Sequence, residues 1–250
     1  MCQGHALETY PPLNTLKLVA ENIWIVDGPT ILFGMPLLKI KFPTRMTIVR
    51  LKDGSLFLHS PTPITPALKQ EIEALGQPKW IIAPNRIHYW WVPEWKHAFP
   101  NAEVYLAPKI KEQAKDRITF NAIELSADTG YPWDQEILTI GAAGSFMTEF
   151  DFFHTASRTL ILTDLIENFE RDKLGSWFLR WLTRIAGIQD PNGQMPKDMR
   201  LSFSKNKAGL KATVKTMIGW QPEQVILAHG RWYETNGTKE LERAFRWLLF

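Results

Sequence analysis

Cysteine is nearly missing from this chain: Cys2 is the only one in 250 residues. One thiol excludes an intrachain disulfide and a Cys-rich zinc cluster, so any metal must be held by His, Asp, Glu or Asn. Long apolar runs are missing too. No stretch reaches about 18 uninterrupted apolar residues, and the opening MCQGHALETYPPLNTLKLVAENIWIVDGPT lacks the basic start and apolar run of a standard export signal. The expectation is a cytoplasmic protein that does not span a membrane. Charge of one sign is scarce, because 29 basic and 26 acidic residues are interspersed and leave only +3, which argues against nucleic acid as a partner. What the chain has in quantity is tryptophan, 11 residues in all. Each indole joins a large apolar ring to one donor that needs a partner, so such clusters point to dense core packing or to an interface. The 45% apolar and 22% charged composition fits a globular protein, and no linker divides residues 1–250, so one domain is expected.

The pattern alternates strands and helices. Asn22–Asp27 and Met46–Arg50 read as strands, and Lys52-Asp53-Gly54 as a tight turn into Leu56–His59. Thr65 caps a helix over 65–75 that starts with Pro66 and stops at Gly76. Trp80–Ala83, a helix over Val92–Phe99, and Val104–Ala107 follow. In the second half Ile137–Ile140, Glu149–Phe153, Thr159–Thr163 and Val225–Ala228 read as strands. Lys205–Gly219 and Glu240–Phe250 read as helices, with a long insertion over 164–201. This is an α/β layer pattern.

In α/β sheets, reactive side chains collect where strands end. His59 ends LFLH, His229 follows VILA, Asp164 follows TLILT, and His88 lies five residues beyond WIIA. Three imidazoles and a carboxylate suit zinc, iron or manganese, although each histidine equally suits a hydrogen bond to a backbone carbonyl. Beside His88, Arg86 suits an anionic substrate group, and Asn85 either orients a ligand or fixes its own loop. Trp90, Trp91 and Trp95 line a pocket mouth or pack the core. His5 and His97 read as surface residues and His154 as structural.

These motifs in this order, namely HSPTP at His59, APNRIH, SRTLILTD and AHG, resemble the metallo-β-lactamase superfamily over residues 22–250. They are most similar to a bacterial domain family of unknown function within it. The resemblance implies a four-layer αββα sandwich of two mixed β-sheets, with the site at one sheet edge. Laying the last residue of the superfamily's His-x-His-x-Asp-His motif on His88 puts Ile87 at the Asp, Asn85 at the middle His and Ala83 at the first. The third-motif His falls in the ligand-free Gly141–Ser145. Asp164 matches the bridging carboxylate and His229 the last histidine.

A dinuclear centre is therefore not expected. The expectation is at most one metal on His88, Asp164 and His229, with His59 as a substitute ligand. Asp164 and His88 would carry catalysis, and Asn85, Arg86 and Trp90 would contact a small-molecule substrate. Two functions follow: a metallo-hydrolase-like protein acting on an ester, thioester or lactone, or a non-catalytic ligand-binding or sensor domain without metal. Finally, Ser176–Ile188 places Trp177, Phe178, Trp181, Leu182, Ile185 and Ile188 on one helical face. The favoured expectation is a cover helix or an oligomer contact over that face, with peripheral membrane contact the less favoured one.

Overall fold

The computed structural model describes residues 7–35 and 38–250, apart from the side chains of 33–39. Cys2 and His5 lie outside the described residues. The chain opens with β1 (Lys17–Ala20), β2 (Ile23–Met35) and β3 (Leu38–Arg50), an antiparallel meander. β2 and β3 run for 13 residues each, well beyond the segments the apolar pattern marked. Pro29 and Pro43 hide that length. Neither has an N–H to donate, and both fall where the register shifts between Gly28 and Ile31, so the ladder resumes beyond them.

At the next turn Asp53 Oδ1 accepts the Ser55 N–H at 2.9 Å while Gly54 takes φ 81°, which sends the chain back as β4 (Ser55–His59). α1 (Pro66–Leu75) forms as its end signals require: Thr65 Oγ1 accepts the Leu68 N–H at 3.1 Å, and the Gly76 N–H closes on Ile72. β5 (Gln77–Ala83), α2 (Val92–Ala98), β6 (Glu103–Leu106), α3 (Ile110–Ala114) and β7 (Ile123–Glu124) complete the first half. Strands β1 to β7 make one sheet in chain order, antiparallel to β4 and parallel from there, with α1 and α2 as crossovers.

The second half supplies β8 (Ile137–Ala143), β9 (Thr148–His154), β10 (Thr159–Ile161), α4 (Trp177–Ala186), α5 (Lys197–Ser202), α6 (Lys207–Gly219), β11 (Gln224–Ile226), α7 (Gly237–Ala244) and α8 (Arg246–Leu249). Its sheet runs β11-β10-β9-β8, with only β10 and β11 parallel. The predicted terminal helix is broken, because the fully buried Phe245 leaves helical dihedrals at φ −103° and ψ 15°. Packing breaks it; no Gly or Pro lies there.

The two sheets face each other through aromatics. Phe152 of β9 meets Phe57 of β4 edge-on at 5.1 Å, and the buried Trp133 touches Phe57, Trp80 and Tyr105 at 5.0, 5.7 and 4.7 Å. The next residue, Phe153, points the other way and stacks on Trp220 at 5.4 Å. Helices α1 to α3 bury Leu68, Ile72, Trp95 and Ile110 on the first sheet, and α6 to α8 bury Leu210, Val214, Leu241 and Leu248 on the second. The result is the four-layer αββα arrangement of two mixed sheets.

α4 corrects an expectation. Ser176 caps it and Gly187, at φ 79°, ends it. Its buried residues are Leu179 and Thr183, which join Leu7, Phe169, Leu174 and Ile188 in a small cluster that also takes in Ile40 and Phe42 of β3. Trp177, Trp181 and Ile185 are exposed. Thr183 tolerates burial because it donates to Leu179 O at 2.6 Å and accepts from Gln189 at 2.9 Å. Of the apolar stripe legible in the sequence, Trp177, Trp181 and Ile185 face outward, Phe178 and Leu182 are half-buried, and Ile188 is buried.

Candidate metal centre

Four backbone ends converge where the two sheets meet. His59 closes β4, and the next residue, Ser60, holds a left-handed φ of 52° that aims its hydroxyl at His88. His88 stands in the loop after β5, Asp164 in the loop after β10, and His229 just past β11. Gly230 follows with φ 88°, and a Cβ there would lie 2.2 Å from Asn168 O. Only glycine allows that close approach, which explains the His-Gly pair at this strand end.

His88 Nε2 and His229 Nε2 lie 3.2 Å apart, His229 Nε2 is 3.2 Å from Asp164 Oδ1, and His88 Nε2 is 3.4 Å from Asp164 Oδ2. Four-coordinate zinc with bonds of 2.0–2.1 Å needs ligand atoms about 3.3 Å apart. The two imidazole nitrogens meet that spacing, each faces its own Asp164 oxygen, and one atom from each of the three residues lies within 4.8 Å of the others, a donor set compatible with one ion. The outer nitrogens are taken. His229 Nδ1 donates to Pro43 O at 2.8 Å, which leaves Nε2 facing inward, and His88 Nδ1 pairs with Ser60 Oγ at 2.7 Å. Among the described residues, no other group of three His, Cys, Asp or Glu side chains converges in this way.

Charge within the group is tightly coupled. Burial pushes the Asp164 carboxyl up, but His88 and His229 outweigh it and hold the group well below the usual carboxylate range. For His229 burial works downward, and the Asp164 carboxylate overcomes it to raise the imidazole above its ordinary value. Without metal the pair therefore shares a proton that a metal would displace.

His59 is not in the converging group. It is buried, packs edge-on against Phe152 at 5.5 Å and lies 3.4 Å from Thr163 Oγ1. Burial, and then the neighbouring His88, push it down to about 3, so it is neutral and supports the loop from behind. Asn85 is fully buried. Its Oδ1 accepts the Ile87 N–H at 3.0 Å, and its amide donates to Asp164 Oδ2 at 2.7 Å and Glu149 Oε2 at 3.0 Å. It thus fixes the loop and Asp164 together, with its amide already used. Arg86 is likewise engaged, with Gln113 at 2.7 Å, Phe146 O at 3.0 Å and the Phe146 ring at 4.6 Å. Trp90 is exposed, stacked on Tyr89 and covered by Arg117. Trp95 is core and donates to Thr62 O at 2.7 Å, while Trp91 is half-buried. His97 is exposed, and His154 is buried against Ser157 at 2.8 Å.

Sequence reasoning missed two supports. Glu149 of β9 accepts the backbone N–H groups of Thr163, Asp164 and Leu165 at 2.9–3.1 Å, and so anchors the turn that carries Asp164. Burial and Asp164 raise the Glu149 carboxyl, and burial with Glu149 pushes the adjacent Asp151 well above the usual range. Burial thus favours the neutral Asp151 carboxyl. The second support is Arg45, buried in β3. It pairs with Asp27 at 2.8 Å and donates to Leu227 O and Gly230 O at 2.7 and 2.8 Å, bracketing His229 from the opposite sheet. Two carboxylates at i and i+2 in EFDFF, and an Asp and an Arg in apolar strands, were the available signals.

Solved metallo-β-lactamases share this architecture. DIM-1, exposed to ceftazidime, has 13% identity and a TM-score of 0.60, with 96% of this chain and 97% of that one covered. FIM-1 from Pseudomonas aeruginosa, in its mono-zinc form, has 13% identity, a TM-score of 0.57 and 94% of each chain covered. The enzyme from Pontibacter korlensis has 11% identity and a TM-score of 0.58, covering 96% of this chain and 99% of that one. The chain therefore has the metallo-β-lactamase fold. Residues 20–199 match the family described as a domain of unknown function (DUF4336), and the chain belongs to that family. No curated protein matches it.

Proposed function

We propose that this chain is a metallo-hydrolase-like protein with at most one metal ion, held by His88, Asp164 and His229, and that its substrate is an ester, thioester or lactone. The observation that carries this reading is the convergence of His88 Nε2 and His229 Nε2, 3.2 Å apart, on the Asp164 carboxylate, whose Oδ2 and Oδ1 lie 3.4 and 3.2 Å from them, with both imidazoles oriented from behind. A bound zinc, iron or manganese ion would supply Lewis acidity and lower the pKa of a water at its open position. The chain's own residues do the positioning. Ser60 and Pro43 set the imidazole rings, Glu149 and Arg45 fix the strand ends, and Asp164, held anionic, orients hydrogen-bond donors. Its low pKa suits a ligand better than a proton store.

Mononuclearity is supported by Asn85. It stands where the superfamily motif has its middle His, and its Nδ2 is committed to Asp164 Oδ2 and Glu149 Oε2, so it brings no imidazole for a second ion. A second reading, a ligand-binding or sensor domain, is favoured by the closure of the site: the His88, Asp164 and His229 side chains are only 9%, 2% and 6% exposed. Elemental analysis of purified protein, followed by hydrolysis assays on a thioester, lactone and aryl ester panel, separates the two. One metal per chain, lost in His88→Ala, with turnover lost in the same variant, supports the hydrolase. Absence of metal together with absence of turnover supports the binding domain. Metal content unchanged in His88→Ala, Asp164→Ala and His229→Ala would falsify the site.

A further inference from the structure

We propose that the outward face of α4 docks on an anionic phospholipid surface. Trp177, Trp181 and Ile185 are 78%, 54% and 47% exposed. Their i, i+4, i+8 spacing makes one stripe about 12 Å long. Arg180 and Arg184 are exposed along one flank of that stripe, and Trp177–Ala186 contains no acid. Indole rings settle at the boundary between head groups and acyl chains, and arginine stems are long enough to carry their charge out to the phosphates. A second copy is a poor occupant. A two-fold contact would bring the same arginines of both copies together, with no acid on the helix to neutralise them.

The helix is rigidly backed. Leu179 and Thr183 anchor it on the cluster containing Phe169, whose ring lies 5.9 Å from Phe42, and Phe42 in turn lies 5.7 Å from the His229 ring. Docking would place the candidate metal centre behind the helix and the rings of Phe169 and Phe42, whether or not that centre hydrolyses anything.

The test is co-sedimentation of the full chain with vesicles of phosphatidylcholine alone or mixed with phosphatidylglycerol. The wild type is expected to bind the mixed vesicles at low salt, to bind the neutral ones far less, and to release as salt rises. Trp177→Ser with Trp181→Ser should weaken binding about tenfold or more, and Arg180→Gln with Arg184→Gln should remove the preference for anionic vesicles. Wild-type melting temperature and metal content in both double variants establish that they are folded. Failure of the wild type to bind mixed vesicles overturns the proposal, and so does unchanged binding by both variants. A wild-type dimer that the tryptophan variant converts to monomer also overturns it, because a second copy would then cover the face.

Discussion

Two regions of this molecule reverse the usual partition of side chains, in opposite senses. Around His88 and His229 the interior holds charge: Asp27, Arg45, Glu149 and Asp164 are all buried. On α4 the exterior holds tryptophan and isoleucine. The first reversal is offset within the chain, since Arg45 has Asp27 and two carbonyls and Glu149 has three backbone N–H groups. The second has no such offset on its outer face. Buried charge with partners for Arg45, Glu149 and Asp164 marks a site the fold holds in place, whereas exposed apolar area marks a surface whose stabilisation comes from outside.

The largest effect that would sharpen this contrast is on Arg45. Arg45→Ala leaves Asp27 buried without its main partner and frees two carbonyls beside His229, so a loss of about 3–5 kcal/mol in denaturant unfolding is expected. A loss below about 1 kcal/mol would break the contrast, since Arg45 would then be no more than a surface-like pair. Glu149→Gln comes next. It replaces an acceptor-only group with one that also carries donors facing three N–H groups, so a loss of about 1–3 kcal/mol is expected, with weaker metal binding because the Asp164 turn shifts. Ser60→Ala should leave stability nearly unchanged yet weaken metal affinity about 10–100-fold, since it removes only the group that orients His88. Calorimetric titration of metal into the stripped protein reads this directly.

pH offers a further test of the buried pair in metal-free protein. The Asp164 carboxyl is lowered, so its contribution is present above the unfolded value near 3.9 and fades as pH falls toward the folded one. His229 is raised, so its contribution is complete below about 6.5 and fades as pH rises through its folded value. Stability of the stripped protein from this pair should therefore peak between about pH 4 and 6.5, and Asp164→Ala should flatten that peak. Metal reverses the upper limb, because it binds the deprotonated imidazole. The smallest effect belongs to α4: Trp177→Ser with Trp181→Ser should change unfolding free energy by no more than about 0.5 kcal/mol. A larger loss would show that the stripe packs against the chain after all.

Much of the architecture was legible because its signals are local. Thr65, Pro66 and Gly76 bound α1 wherever it packs, and Lys52-Asp53-Gly54 turns the chain without help from distant residues. The strand-end positions of His88, Asp164 and His229 were legible for the same reason, and the order of the motifs carried the fold. Local signals failed where a partner far along the chain decides. Pro29 and Pro43 read as interruptions until each is seen opposite an unpaired stretch of the other strand. Phe245 breaks the last helix because of the core it enters.

The same division runs through the candidate site. By itself the sequence determined that a Cys-rich metal cluster was excluded and that α4 would be amphipathic. These follow from residue identity and spacing along one element. Only the tertiary structure decided that His59 stands behind the group, that Asn85 spends its amide on Asp164, that Glu149 and Arg45 hold the strand ends, and that the tryptophans of α4 point outward. Each of these depends on contacts between residues far apart in the chain. Helical periodicity defines two faces but not which one finds the core, and a carboxylate in a strand shows its role only when the backbone groups it will accept from have been brought to it.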